Sequence, residues 1–351
     1  MAERRTSSTG TRPRKVNTGQ RRRITKTDRG SFADYSHIKA APGIVIPEVK
    51  KVMLARKLDD TRKNIHRTNV IYPSEMARGD WCPRATYYRM AGYPEPESHY
   101  SLTLENVFAE GNAIHAKWQS WLSDTGLLWG DWRCTRCSEY VRDSLRPNDR
   151  DFGACVGTRW VQLPGLVVPD QQFAHDWVYK EVTLKSTTMP VSGHADGALV
   201  DYDCLIELKS IGVGTLRFEA PKLLEENTHE IGSRKIADWE GMWKDLHKPL
   251  LPHVRQGNIY LWMAEQMGLP FNSIIFVYEF KANQQSKEFR IFKSDDILAP
   301  MLDIASDIER HLKAGVPPDC PFGGCGSCKA YEQAKMKQED NLFAADEATW
   351  D

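Results

Sequence analysis

At 351 residues, with 47 basic and 47 acidic side chains, the chain can bury one large or two ordinary cores, and it has no net charge to draw it to polyanions in general. The charge is uneven: residues 1–30 hold ten Arg or Lys against Glu3 and Asp28, a local +8 that leaves the remainder at −8. No apolar run approaches the length of a membrane span, and none follows the basic start as a secretory signal requires, so a soluble, cytoplasmic protein without membrane contact is expected.

Residues 1–65 read as a basic, largely disordered arm, because Arg, Thr, Ser and Gly dominate its first 30 positions and leave little to bury; one short helix is expected from Pro47 to Lys57. A helix start at Tyr72-Pro73 runs on toward Cys82, which by itself would read as a buried structural thiol. From Asn106 to Leu122, Val107, Gly111, Ile114, Trp118 and Leu122 recur at helical spacing and predict one buried stripe. His115 lies beside that stripe, as a core histidine or as a ligand.

Residues 127–176 read as an insert. Cys134-Thr-Arg-Cys137 is the usual half of a zinc knuckle, Cys155 supplies a third thiol, and His175 can complete the set; a redox pair or plain structural thiols is the other reading. A strand is expected over Val178 to Ser186, followed by a hairpin from Gly193 to Ser210. In that hairpin Glu207 and Lys209 alternate with Ile206 and Leu208, so the charged pair shares one face. A turn centred on Tyr202-Asp203 sets Asp196 opposite Lys209 and Ala198 opposite Glu207. Two carboxylates and a lysine on one face can hold a hard divalent cation that polarises a phosphate and acidifies a water. The bland alternative is a solvated strand with an ordinary salt bridge.

Residues 212–248 are mixed in charge and read as a loop with exposed helical segments. A helix from near Pro252 to Gly268 puts Gln256 and Tyr260 four apart on one face, either as a site or as the polar edge of an amphipathic helix. Strands at Ser273 to Phe280 and Glu288 to Phe292 flank a turn at Asn283-Gln284-Gln285, and a last helix from about Asp296 to Lys313 stops at Gly315. Cys320, Cys325 and Cys328 follow within nine residues; they can wrap one centre if a fourth thiolate arrives from elsewhere, and Cys82 is the candidate. An iron-sulfur cluster, a zinc site and unliganded thiols are the readings open to them. Residues 332–351 are left as a C-terminal tail.

Gly111-Asn-Ala-Ile-His115, Gly193-His-Ala-Asp196, Glu207-Leu-Lys209 and Gln256-Gly-Asn-Ile-Tyr260, in that order and bracketed by the split cysteines, resemble the RecB-type branch of the PD-(D/E)XK nucleases. The pattern is most similar to the CRISPR-associated RecB-like exonucleases and their phage-borne relatives, and it spans roughly residues 71–331. The resemblance implies an α/β, restriction-endonuclease-like core: a mixed central sheet flanked by helices, with the cysteine-bearing insert added. It implies that His115, Asp196, Glu207 and the carbonyl of Leu208 hold Mg2+ or Mn2+, that Lys209 acts on the water, and that Gln256 and Tyr260 line the DNA-facing side. It also implies a [4Fe-4S] cluster on Cys82, Cys320, Cys325 and Cys328, although here the wide gap precedes the close pair, the reverse of the family's usual order. The activity implied is exonucleolytic hydrolysis of DNA, at single-stranded ends, in recombination, repair or DNA processing. A virus-encoded enzyme working in the host cytoplasm, as a homo-oligomer or with partner proteins, fits the same relatives. A non-catalytic DNA-binding or adaptor protein on a nuclease fold, and an RNA-processing nuclease, are the other readings.

Overall fold

The computed structural model describes residues 45–63, 69–96, 101–148, 152, 155, 174–231 and 233–347; the basic stretch 1–30 lies outside them. The chain divides at Met53/Leu54, and helix α1 (Val45–Lys63), longer than the segment expected, runs across that division. Everything below lies within 54–351.

Two short helices open the second unit, α2 (Pro73–Met76) and α3 (Pro83–Met90), each started by a proline whose missing N–H costs nothing at a helix N-terminus. Helix α4 (Leu102–Asp124) is capped by Ser101, which accepts from Leu104 N at 3.1 Å. The expected stripe is only partly realised: Ile114 is buried, Gly111, Trp118 and Leu122 are half-buried, and Val107 is exposed. The apolar period was right, but the first half of the helix packs against nothing among the described residues that would bury it.

The strands are β1 (Leu128–Cys134), β2 (Tyr140–Leu145), β3 (Trp177–Tyr179), β4 (Val182–Lys185), β5 (Ser192–Ala195), β6 (Gly197–Leu199), β7 (Cys204–Ile211), β8 (Thr228–Ile231), β9 (Arg234–Ala237), β10 (Ser273–Phe280) and β11 (Ser286–Phe292). Seven form one sheet in the order β11-β10-β7-β6-β1-β2, with β3 also beside β1; β4 pairs β5, and β8 pairs β9. Strands β7 and β10 run parallel and the other pairings are antiparallel, so the sheet is mixed, as expected of the α/β class. Strand β1, which opens the segment read as an insert, is a member of this sheet.

The strand expected over 178–186 is broken. Glu181 adopts a left-handed φ of 65°, which ends β3 and sends β4 off to pair with β5. The register of the central hairpin also differs: Gly197 pairs Ile206 and Leu199 pairs Cys204, two residues off the expected pairing. The turn is made earlier, by a 3-10 turn at Val200–Tyr202 closed by Asp203 with φ 49°. A shift of two preserves which face each side chain occupies. Extending the observed register sets Asp196 opposite Glu207.

Helices α5 (Val213–Glu219), α6 (Pro221–Glu226) and α7 (Trp239–Asp245) fill the charged stretch together with the β8–β9 hairpin, which its sequence did not announce. Helix α8 (Leu251–Gln266) ends before Gly268, φ 70°, and α9 (Asp295–Ala314) before Gly315, φ 69°, both left-handed stops. Helix α10 (Gly326–Glu347) continues through the segment read as a tail. The core sits between the sheet and α8 and α9: Ile274, Phe276, Tyr278 and Phe280 of β10 are fully buried, with Ile259, Met263, Ala305 and Ile308 against the same cluster. Strand β10 is covered on both faces, which is why it reads as a continuous apolar run. No helix among the described residues is long and apolar enough to cross a membrane.

Candidate nuclease site and thiol centres

Close approach of α8 to the sheet creates the site. A Cβ on Gly257 would lie 2.8 Å from Phe276 Cζ and 2.9 Å from Ile274 Cγ2, so the helix can rest on β10 only with glycine there. A Cβ on Gly193 would lie 2.9 Å from Pro73 and 3.1 Å from Tyr260, which gives the first residue of Gly-x-x-Asp its role. With those contacts made, α8 lowers Gln256 and Tyr260 onto the face of β7 that carries Glu207 and Lys209.

There they form a connected set. Lys209 Nζ donates to Glu207 Oε1 at 2.8 Å and to Gln256 Oε1 at 2.9 Å. Gln256 Nε2 donates to Glu207 Oε1 at 3.0 Å and to Tyr260 OH at 2.8 Å. Asp196, the one residue between β5 and β6, accepts from Leu208 N at 2.6 Å through Oδ2, while its Oδ1 lies 3.3 Å from His115 Nδ1. Asp196 is 7% exposed, Gln256 6%, Glu207 4% and Tyr260 4%, so the solvated-strand reading is excluded. Gln256 and Tyr260 share that burial: Gln256 meets both Glu207 and Lys209, and Tyr260 meets Gln256.

One atom of the set has no partner. Glu207 Oε2 is buried and receives no hydrogen bond. A buried carboxylate oxygen left bare costs free energy on the order of 1–3 kcal/mol, more when ionised, unless something absent from the protein itself fills the position. Burial pushes the Glu207 carboxyl up to about 7, with Asp196 adding to the rise and Lys209 opposing it. The hydrogen bond to Asp196 raises His115, against desolvation. Asp196, Glu207, His115 and the Leu208 carbonyl are donors suited to a hard divalent cation, and the bare Oε2 is the observation that fits one.

Helix α4 is held in place by Lys117 and Glu279, which sequence reading passed over, together with Trp118 and Gly111 of its stripe. Lys117 Nζ donates to both oxygens of buried Glu279 at 2.6 Å, and Trp118 Nε1 donates to Oε2 at 2.7 Å. Gly111 lets the helix approach Ser210, whose Oγ would lie 3.3 Å from a Cβ there. These contacts fix the angle from which His115 reaches Asp196. Glu181 was also missed: one residue beyond the Val182↔Ala195 pair, it comes opposite Asp196. Burial and the neighbouring Asp196 carboxylate push its own carboxyl up, with Gln119 hydrogen-bonded to it. Its signal, a lone acid within an apolar strand, was too common to single out.

Both cysteine sets converge. Cys82, Cys320, Cys325 and Cys328 bring their sulfurs within 4.8 Å of one another, as do the donor atoms of Cys134, Cys137, Cys155 and His175. In the first set Cys82 precedes α3 and Cys328 sits in the first turn of α10, and Tyr88 OH donates to Glu332 at 2.8 Å beside them. Four thiolates are the right donors for the [4Fe-4S] cluster implied by the resemblance. In such a cluster each thiolate is bound to a different iron of a cube, which spreads the sulfurs apart. Here Cys82–Cys320 and Cys325–Cys328 are each 3.7 Å apart. Round one tetrahedral ion with bonds of about 2.3 Å, sulfurs lie about 3.8 Å apart. The four thiols can hold a metal, and a single ion is a reading of them beside the cluster.

No protein-family model matches the chain, and no curated protein matches it. Among solved structures it is similar to the crystal structure of SSO0001, at 16% identity over 75% of this chain and 86% of that one, with a TM-score of 0.35. It is similar also to an alkaline exonuclease, LHK-Exo, from Laribacter hongkongensis, at 13% identity over 71% of this chain and 90% of that one, TM-score 0.35. LHK-Exo in complex with dAMP gives 12% identity with the same coverage and TM-score. Likeness at this level carries no assignment of activity, which has to be argued from the residues.

Two outcomes follow from the site's chemistry. Because the Glu207 pKa is raised on folding, the folded state holds its proton more tightly than the unfolded chain. The stability this adds is complete below the ordinary carboxylate range and is lost as pH rises through about 7. In chelator, Glu207→Gln should therefore melt higher than the parent chain at pH 8, by on the order of 1–3 kcal/mol, and the difference should shrink toward pH 5. A pH-independent difference between the two would contradict the buried carboxyl. For the four-thiol centre, anaerobically prepared protein should carry bound metal that is lost in Cys82→Ser; metal retained in full by Cys82→Ser would contradict a centre shared by the four thiols.

Proposed function

We propose that this chain is a metal-dependent deoxyribonuclease of the PD-(D/E)XK type that hydrolyses phosphodiester bonds, working as an exonuclease on single-stranded DNA ends. The observation that carries the reading is the buried face shared by Asp196, Glu207 and Lys209, with Glu207 Oε2 bare among partners that satisfy every other direction. A binding module has no reason to bury two carboxylates beside a lysine and leave one oxygen unmet. DNA as substrate and a preference for ends are taken from the motif order, which resembles the RecB-type branch.

Asp196 and Glu207, with His115 and the Leu208 carbonyl, would hold Mg2+ or Mn2+, which when bound neutralises nonbridging phosphate charge and lowers the pKa of a coordinated water. Lys209 is aimed by two acceptors, Glu207 and Gln256, so its ammonium is fixed beside the position where negative charge develops. Gln256, itself tied to Tyr260, prevents Lys209 from collapsing into a simple ion pair with Glu207. His115 keeps Asp196 Oδ1 directed away from the hairpin backbone, while Leu208 N holds Oδ2. The protein thus supplies oriented charge.

The test is incubation of the purified full chain with end-labelled single- and double-stranded DNA, and with RNA, in Mn2+, Mg2+ or EDTA. Stepwise shortening of single-stranded DNA is expected with either ion and none in EDTA. Asp196→Ala, Glu207→Gln and Lys209→Ala should each slow it on the order of 100–1,000-fold while far-UV circular dichroism is unchanged. Undiminished cleavage by Asp196→Ala, or in EDTA, would refute the reading.

A further inference from the structure

We propose that Cys134, Cys137, Cys155 and His175 bind one zinc ion as a closed structural centre that fastens the β1–β3 edge of the sheet. The inference is independent of the nuclease reading, since it concerns donors that take no part in that site.

Donor geometry carries the argument. Cys134 Sγ and Cys155 Sγ are 3.7 Å apart, too far to be bonded to each other, and Cys137 Sγ lies 3.5 Å from His175 Nδ1. All four donors lie within 4.8 Å of one another. With zinc–sulfur bonds of about 2.3 Å and zinc–nitrogen bonds of about 2.0 Å, tetrahedral edges are about 3.8 Å between two sulfurs and about 3.5 Å between sulfur and nitrogen. Both observed edges agree. Three thiols and one imidazole are a donor set that zinc takes in structural sites, and with four protein ligands no position is left for water or substrate.

The local backbone is built for such a centre. Cys134 ends β1, and the turn that follows returns through Ser138 at a left-handed φ of 65°. Arg136 N donates to Cys134 Sγ at 3.4 Å, an interaction that favours the thiolate over the thiol. Across the turn, Thr135 N donates to Asp176 O at 2.9 Å, and Thr135 Oγ1 to Asp176 Oδ2 at 2.5 Å. His175 stacks on Trp177 with ring centres 4.8 Å apart and planes at 13°, and Phe152 meets Trp177 edge-on at 5.3 Å. These ring contacts fix the imidazole, as supporting groups round a metal commonly do.

The position of the centre gives it a task. Cys134 pairs with Trp177 at the end of the β1–β3 ladder, so the ion joins the strand that leaves the sheet to the segment that returns to it. Further along the same two chains, Asp131 N donates to Glu181 O and Lys180 N to Asp131 O, both at 2.8 Å, and Glu181 lies across from Asp196. Ligation displaces the thiol protons and adds its free energy to folding.

Zinc is measured in the full chain purified without chelator, and no DNA is needed, so the outcome does not depend on whether the chain cuts anything. Cys137→Ser and His175→Ala should each lower zinc by one equivalent per chain relative to the parent protein, while Cys328→Ser leaves that equivalent in place. Should those variants fail to fold, His175→Cys retains four donors: it should fold, keep its zinc, and after exchange with Co2+ show a visible spectrum shifted toward that of an all-sulfur site. Parent protein without zinc, zinc unaltered in both Cys137→Ser and His175→Ala, or an unshifted cobalt spectrum in His175→Cys would overturn the proposal.

Discussion

The structure turns on the burial of Glu207. A carboxylate taken out of water is costly unless charge and hydrogen bonds meet it, and here Lys209 and Gln256 both meet Oε1 while Oε2 is left to no protein group. That asymmetry requires α8 to lie hard against β10, because only then does Gln256 reach β7. Gly257 and Gly193 are the two positions where a side chain would hold the helix off. The arrangement is thus a packing solution before it is a chemical one.

A second constraint comes from the other side of the sheet. Glu279 is buried, and the cost is offset by Lys117 and Trp118, both on α4. The pair locks the helix one turn beyond His115, so the imidazole approaches Asp196 on a fixed path. Two buried acids, one structural and one left open, sit on neighbouring parallel strands and organise helices on opposite faces. The two thiol centres lie outside this core, one where α3 and α10 begin and one at the β1–β3 edge.

What could be read from the sequence was local. The β10 bounds, the stops of α8 and α9 and the alternation of β7 followed from period and from Gly and Pro positions, and the structure reproduces them. The hairpin register was missed by two because the turn uses a 3-10 segment with Asp203 left-handed, which no residue there demands. Face assignment survived only because two is even. Gln256 and Tyr260 were found by their spacing, but helical period says which residues share a face and nothing about what that face meets, so the bonds of Gln256 to Glu207 and Lys209 were not legible. Glu181 and the Glu279 clamp depend on contacts far apart in sequence and had no local signal. For the cysteines, the grouping of Cys82 with Cys320, Cys325 and Cys328 was legible, whereas the 3.7 Å separations within it were not.

The central claim is that Glu207 Oε2 is an open ligand position for a divalent cation. Titration of the full chain with Mn2+, followed by electron paramagnetic resonance of the free ion at pH 8, tests it most directly. The account predicts one saturable site in the parent protein, with affinity at least about tenfold weaker in Glu207→Gln and the fold intact. Equal Mn2+ affinity in the two proteins would contradict it.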